Sequence, residues 1–290
     1  MTSRTRNALT AIALFTALPF AQMVRAAELR IVRTQAQAGD ARKYQPLLAY
    51  LAKNGVPADF VTAPDNRAAA ELFAAGQADA MFSGSGIAGT LLFIKGLAEP
   101  LVRPVGVDGV STYSAVVIAP KGSARFDGAG RYFDRKRVIF AALASAGQFY
   151  FESVGPSKPA AVLQAASHGA ALDALSRGQA DVAIVKNHVW TKEQAKYPGL
   201  ELVGGDPGAN PNASFIVSKK LDAATAQRIS AVLVALEADA SPEAVAAKGA
   251  LAIQAFITAT TKDFAHALDI LQKAGVTKDF DYDYDYAYNF

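Results

Sequence analysis

Three short segments carry residue types that could hold a small charged solute: Ser83-Gly84-Ser85-Gly86, Ser145-Ala146-Gly147-Gln148 and Lys186-Asn187-His188. Each follows an apolar run and opens a helical pattern. Small residues let the backbone approach a ligand, and free N–H groups at a helix start attract anions. One such loop alone reads as ordinary helix capping, whereas three converging on one cleft make a binding site. His168 stands just before a helix among small residues and reads as a ligand contact or a structural hydrogen-bonder. Tyr44, near a helix start, reads as a cleft residue or as core.

Other chemistries find less support. The chain has no cysteine, which excludes disulfides, thiolate metal sites and thiol nucleophiles. It has three histidines, no Gly-x-Ser-x-Gly elbow and no Gly-x4-Gly-Lys phosphate loop, so it reads as a binder and not an enzyme, with no cofactor. Asp79 and Asp181 could be taken for a catalytic pair. Each follows Gln-Ala at the start of a strand, away from the strand end where ligands gather, and reads as a turn or capping residue. His266 reads as surface and Trp190, the single tryptophan, as packing in the second half. At the C-terminus, Asp279, Asp281, Asp283 and Asp285 alternate with Phe280, Tyr282, Tyr284 and Tyr286. An extended chain of this kind puts carboxylates on one face and aromatics on the other. The spacing suggests hard-cation ligands, but the glycine and closing glutamate of a calcium loop are absent. The other reading is an edge segment laying its aromatics on the first half.

These loops need a frame. Residues 68–83, AAAELFAAGQADAMFS, and 170–185, AALDALSRGQADVAIV, share a helical pattern, a glycine, Gln-Ala-Asp and an apolar run. Gly76 and Gly178 sit where a helix ends in a left-handed residue. The repetition predicts two α/β lobes built alike. Strands are expected at 29–34, 59–62, 79–83, 101–105, 114–119, 138–142, 181–185, 200–203 and 215–218. Helices alternate with them, Tyr44, Leu47, Leu48 and Leu51 marking one apolar face. Residues 222–274 read as mostly helix. Such alternation argues for mainly parallel sheets covered on both faces, with ligands at the carboxyl ends of strands.

The N-terminus reads as an export signal: Arg4 and Arg6, an apolar run from Ala8 to Ala21, then Val24-Arg25-Ala26 before cleavage at Ala26/Ala27. The run is short for a membrane span, and Pro19 interrupts it. Without residues 1–26 the 29 basic side chains fall to 26, matching 26 acids. The mature chain is thus formally neutral, and nucleic-acid binding is set aside.

Several segments in order resemble a known family. They are Leu29–Thr34, Tyr44-Gln45-Pro46-Leu47, Gly76-Gln77-Ala78-Asp79, Tyr113–Ile118, Ser145-Ala146-Gly147, Ser167–Leu172 and Gly178-Gln179-Ala180-Asp181. Over most of residues 28–275 the chain is similar to the phosphate/phosphite/phosphonate-type periplasmic substrate-binding proteins of ABC transporters. The resemblance implies a type II periplasmic binding protein fold, a two-lobe clamp closing on a small solute. It implies residues 27–118 with 213–290 as lobe 1 and 119–212 as lobe 2. It places the oxyanion at Ala144-Ser145-Ala146-Gly147, where the family pattern Ser-Thr-Ser-Gly keeps only its middle hydroxyl. Tyr44, Ser83, Ser85 and Tyr113 would face it, with His168 nearby and Phe82 where the family often has tyrosine. His188 and the stretch Asn210–Ala213 match positions where aminophosphonate binders carry acids, and neither is acidic here. The implied protein is a periplasmic monomer delivering an oxyanion or phosphonate-like solute to an inner-membrane permease. A partner of a sensor kinase or a metal-ion binder on the same fold is the alternative.

Overall fold

The computed structural model describes residues 28–34, 40–141 and 145–282; the export signal, Ala144, Asp283 and Asp285 lie outside them. The chain opens with a β–α–β–α–β unit: β1 (Leu29–Thr34), α1 (Gln45–Lys53), β2 (Ala58–Ala63), α2 (Asn66–Ala74) and β3 (Ala80–Ser83). β1 lies between the other two strands and parallel to both. Helix α3 (Ser85–Gly89) follows and runs into a π turn, Thr90–Ile94, before β4 (Ala98–Gly106). The chain then crosses over through the two-residue strand β5 (Thr112–Tyr113).

The crossing leads to β6 (Ala115–Pro120) and a second unit of the same plan: β7 (Arg137–Ala141), α4 (Ala146–Ser153), β8 (Ala161–Ala165), α5 (His168–Ser176) and β9 (Val182–Lys186). Here β7 is central and parallel to its neighbours. Helix α6 (Asn187–Glu193) and strand β10 (Leu200–Gly205) complete this part. The chain returns through β11 (Asn210–Pro211), antiparallel to β5, into β12 (Ser214–Ser218). Helices α7 (Ala223–Ala235) and α8 (Pro242–Leu251), strand β13 (Ile253–Thr258) and helix α9 (Ala265–Lys273) finish the fold.

The strands form a six-stranded sheet, β13-β4-β12-β3-β1-β2, and a five-stranded sheet, β10-β6-β9-β7-β8. Each carries apolar clusters on both faces, one holding Met81, Leu91 and Leu271, another Val138, Phe140 and Ile184. This is the two-lobed α/β fold expected, with three differences. Only the repeated units are parallel; β4, β6, β10, β12 and β13 join antiparallel, because the chain leaves and re-enters each sheet at the crossover. Strand β13 interrupts the region read as helical: Ile253, Ala255 and Phe256 are buried where it pairs with β4. Strand β8 was missed as well, since its Gln164 breaks a five-residue apolar run. No helix among the described residues is long and apolar enough to cross a membrane.

Candidate functional site

The carboxyl ends of the parallel strands face the space between the sheets. In lobe 1, β1 ends beside Arg33, β3 ends at Ser83 ahead of Gly84, and the loop after β2 leads to Asn66 at the start of α2. Together with Tyr44, Phe82, Ala213 and Lys186 these residues line a cleft of about 510 Å3, open mouth included. Tyr44 holds its place by stacking edge-on against Phe60 at 5.5 Å and packing on Phe82 at 5.3 Å. The Arg33 guanidinium lies 3.7 Å from the centre of the Tyr44 ring, so the aromatic cluster aims the cation. The Ser83 hydroxyl donates to the Gly84 carbonyl at 3.0 Å.

Lys186 comes from the other lobe, at the end of β9. Its ammonium donates to Asn212 Oδ1 at 2.6 Å and lies 4.2 Å from the centre of the Tyr113 ring. Burial brings this ammonium down to about 8, against about 10.5 for an exposed lysine. The neighbouring imidazoles respond to the same surroundings. Burial first, then Lys186 and His188, hold His168 neutral down to about pH 3. Burial and Lys186 also lower His188, partly opposed by Asp108. Among the described residues His168 Nδ1 is buried without a hydrogen-bond partner.

The serines at the helix starts divide their work. Ser145 caps α4, its Oγ accepting from the Gln148 N–H at 3.4 Å. Gly147 lets α4 lie against the sheet: a methyl there would meet the Ile184 carbonyl and Phe140 Cβ, both at 2.9 Å. Ser85 and Tyr113 are buried and share a 2.5 Å hydrogen bond, and burial pushes the Tyr113 phenol up. With Ala146, Asp206 and Asn210 they line a separate, smaller space of about 260 Å3. The structure thus gathers Tyr44 and Ser83 in one cleft with Lys186, sets His168 and His188 beside that lysine, and joins Ser85 to Tyr113 at the crossover next to Ala146.

Two residues facing this region, Arg33 and Asn66, escaped the sequence reading, while Lys186 and Asn212 entered it only as members of the segments Lys186-Asn187-His188 and Asn210–Ala213, with no role of their own. Lys186 was within view as the last residue of the second repeat strand, and Arg33 and Asn66 occupy the equivalent strand-end and helix-start positions. His266, read as surface, instead joins Asp206 across 2.7 Å because α9 packs beside the crossover. Trp190 is buried in lobe 2 as expected. Asp79 and Asp181, read as turn or capping residues, each instead grip an arginine of the neighbouring central strand at the base of their lobes, away from the cleft. In the tail, Tyr282 is buried and Phe280 packs on the same core, while Asp279 is exposed and Asp281 lies 3.3 Å from Arg67. Among the described residues no three His, Asp or Glu side chains converge as a metal site would require.

Solved structures of similar shape extend over most of the chain. A protein from Xanthomonas citri, XAC2383, solved with ATP, covers 86% of this chain and 98% of its own at 16% identity and TM-score 0.72. PhnD1 from Prochlorococcus marinus, in complex with methylphosphonate, covers 85% and 98% at 15% identity and TM-score 0.66. A binding-protein component of a phosphonate ABC transporter from Pseudomonas aeruginosa, PA3383, covers 84% and 86% at 15% identity and TM-score 0.64. No curated protein matches the chain by sequence. The family model of ABC-transporter phosphonate periplasmic substrate-binding proteins matches residues 31–264, and the chain belongs to that family.

Proposed function

We propose that this substrate-binding protein closes its lobes on a small anion and hands it to an inner-membrane ABC permease. The observation that carries this reading is that Arg33 and Lys186 reach one cleft from opposite lobes, with no carboxylate among the described residues lining it. Two cations facing one cleft from opposite lobes favour a negative solute, because the interaction strengthens as closure expels water. The backbone N–H at Gly84 and the amino end of α4 at Ser145, Ala146 and Gly147 would supply further donors, and the Ser83 hydroxyl would join them on giving up its bond to the Gly84 carbonyl. His168 and His188, neutral at pH 7, would contribute hydrogen bonds without charge. Two neighbours of the same shape hold methylphosphonate and ATP, so fold alone leaves the anion open and the cleft side chains must choose it.

The protein would act by binding alone, as a monomer, after export and removal of residues 1–26. We place the lobe boundary within the β5/β11 crossover, a few residues before position 118, so that β6 lies wholly in lobe 2. Closure would bend these two short strands and bring Lys186 toward Arg33. Uptake measured in cells lacking the protein separates delivery to a permease from presentation to a sensor kinase.

The test is titration calorimetry of the mature chain with phosphate and methylphosphonate, alongside small-angle scattering. Binding with a measurable decrease in radius of gyration is expected, and Arg33→Gln should weaken it about tenfold or more, the loss of one charge-assisted hydrogen bond. Absence of compaction with every oxyanion rejects the reading.

A further inference from the structure

The Lys186 ammonium is held in an unusual way. A buried cation ordinarily sits opposite a carboxylate, since desolvation otherwise penalises the charge. Here its partners are an amide oxygen, Asn212 Oδ1, and the face of the Tyr113 ring. Among the described residues no carboxylate lies within ion-pair distance of it, whereas the arginines at the base of each lobe have one each. The titratable neighbours on adjoining elements are His168 at the start of α5, His188 on α6 and Tyr113 on β5. None of these supplies a negative charge at neutral pH.

Lobe 1 places a second cation at the same cleft. Arg33, over Tyr44 at the end of β1, stands with Ser83 and Gly84 at the end of β3 and Asn66 at the start of α2. Lys186 faces it from the far side of the same cleft. The cleft opens to solvent at its mouth, so it does not confine the solute to a single tetrahedral oxyanion.

We propose that the solute carries two anionic groups, a phosphonate and a second carboxylate or phosphoryl group, one set against Arg33 and the other against Lys186. This rests on the solute-capture reading above and narrows its substrate class. A phosphonate with an apolar tail leaves the lysine uncompensated, and one with an ammonium tail sets like charges together.

The experiment is calorimetry of the mature chain at pH 7 with methylphosphonate, phosphonoacetate, methylenediphosphonate and 2-aminoethylphosphonate. At least one of the two doubly anionic probes should bind about tenfold or more tighter than methylphosphonate, with the aminophosphonate weakest. Whichever of the two prevails names the second group. Lys186→Met should abolish the preference, bringing the doubly anionic probes to within about threefold of methylphosphonate, and Lys186→Arg should retain it. Should Lys186→Met fail to fold, Lys186→Gln takes its place. Equal affinities in the parent protein, or a preference that survives loss of the lysine, overturn the two-anion proposal and leave solute capture standing. Silence with all four probes rejects both.

Discussion

The first and second halves of the molecule can be compared almost residue for residue. In each, an arginine stands at the start of the central strand, Arg30 second in β1 and Arg137 first in β7, and Asp79 or Asp181, 102 positions apart, immediately precedes a later strand. Arg30 donates from its backbone N–H and its guanidinium to Asp79 at 2.8–3.0 Å. Arg137 does the same to Asp181 at 2.7–3.1 Å. The glycines before both aspartates adopt left-handed backbone, φ +74° and +72°. At the helix starts, Asp65 and Ser167 are equivalent N-caps. One step beyond the caps, and again at the carboxyl strand ends, the halves part: Asn66 stands opposite His168 in register, and Gly84 opposite Lys186. The base of each lobe is therefore a shared folding device, whereas the edge facing the cleft is where one copy acquired charge and imidazole. Duplicated structure marks what holds the lobe together, and departures from it mark what meets the solute.

The largest effect should come from a place where the halves differ in packing. α4 buries Phe149 in the core of lobe 1, beside Gly86 and Phe280, whereas its counterpart α1 stays within its own lobe. Phe149→Ala should cost about 3 kcal/mol in urea unfolding and enlarge the radius of gyration without ligand. An unchanged radius would mean that this ring does not hold the lobes together.

Next come the shared clasps. Asp79→Ala and Asp181→Ala should each destabilise by about 2 kcal/mol, less than for buried pairs because both are partly exposed. The comparison predicts near-equal losses, and a difference above about 1 kcal/mol would break the equivalence.

Two pH experiments sharpen the divergence at the cleft edge. His168 stays unprotonated in the fold down to about pH 3, whereas in the unfolded chain it binds a proton below about 6.5. Its contribution is therefore lost as pH falls from about 6.5 toward 3. His168→Asn, which installs the lobe 1 residue, should flatten that decline by about 2 kcal/mol at pH 4. Lys186 works at the other end. Folded, it releases its proton near pH 8, while the unfolded chain holds it to about 10.5, so ligand-free stability should rise across that window by about 1–2 kcal/mol. Lys186→Met should remove the rise.

The smallest expected effect concerns Glu152 on α4, whose carboxyl burial raises to about 7. The fold keeps the proton between about pH 4.5 and 7, so stability declines as pH climbs through that range. Glu152→Gln should recover about 1 kcal/mol at pH 8 by thermal or urea unfolding, discounted for its partial exposure.

The parallel units were legible because burial on both faces leaves continuous apolar runs punctuated by glycine, and because the pattern occurs twice. The antiparallel additions were not. β5 and β11 are two residues long, and β13 lies in alanine-rich sequence that reads equally well as helix. At the site, the serine and glycine loops stood out from their position after strands, but which of them meet the cleft depends on hydrogen bonds between distant segments. Ser85 reads as a free hydroxyl until Tyr113 is seen bonded to it. Lys186 and Arg33 look like the polar ends of strands, and their meaning comes only from facing one another across two sheets.

The narrow crossover has an evolutionary consequence. Lobe 2 leaves and rejoins lobe 1 through a single pair of two-residue strands, Thr112–Tyr113 against Asn210–Pro211. The first and last described elements, β1 and α9, both belong to lobe 1, so the second lobe behaves as a cassette inserted in its partner. Exchanging it between relatives would require matching four backbone positions and the helix contacts around Phe149, while the amino-terminal half kept its own wall of the site. A lineage could thereby recombine one solute-binding wall with another without redesigning either fold.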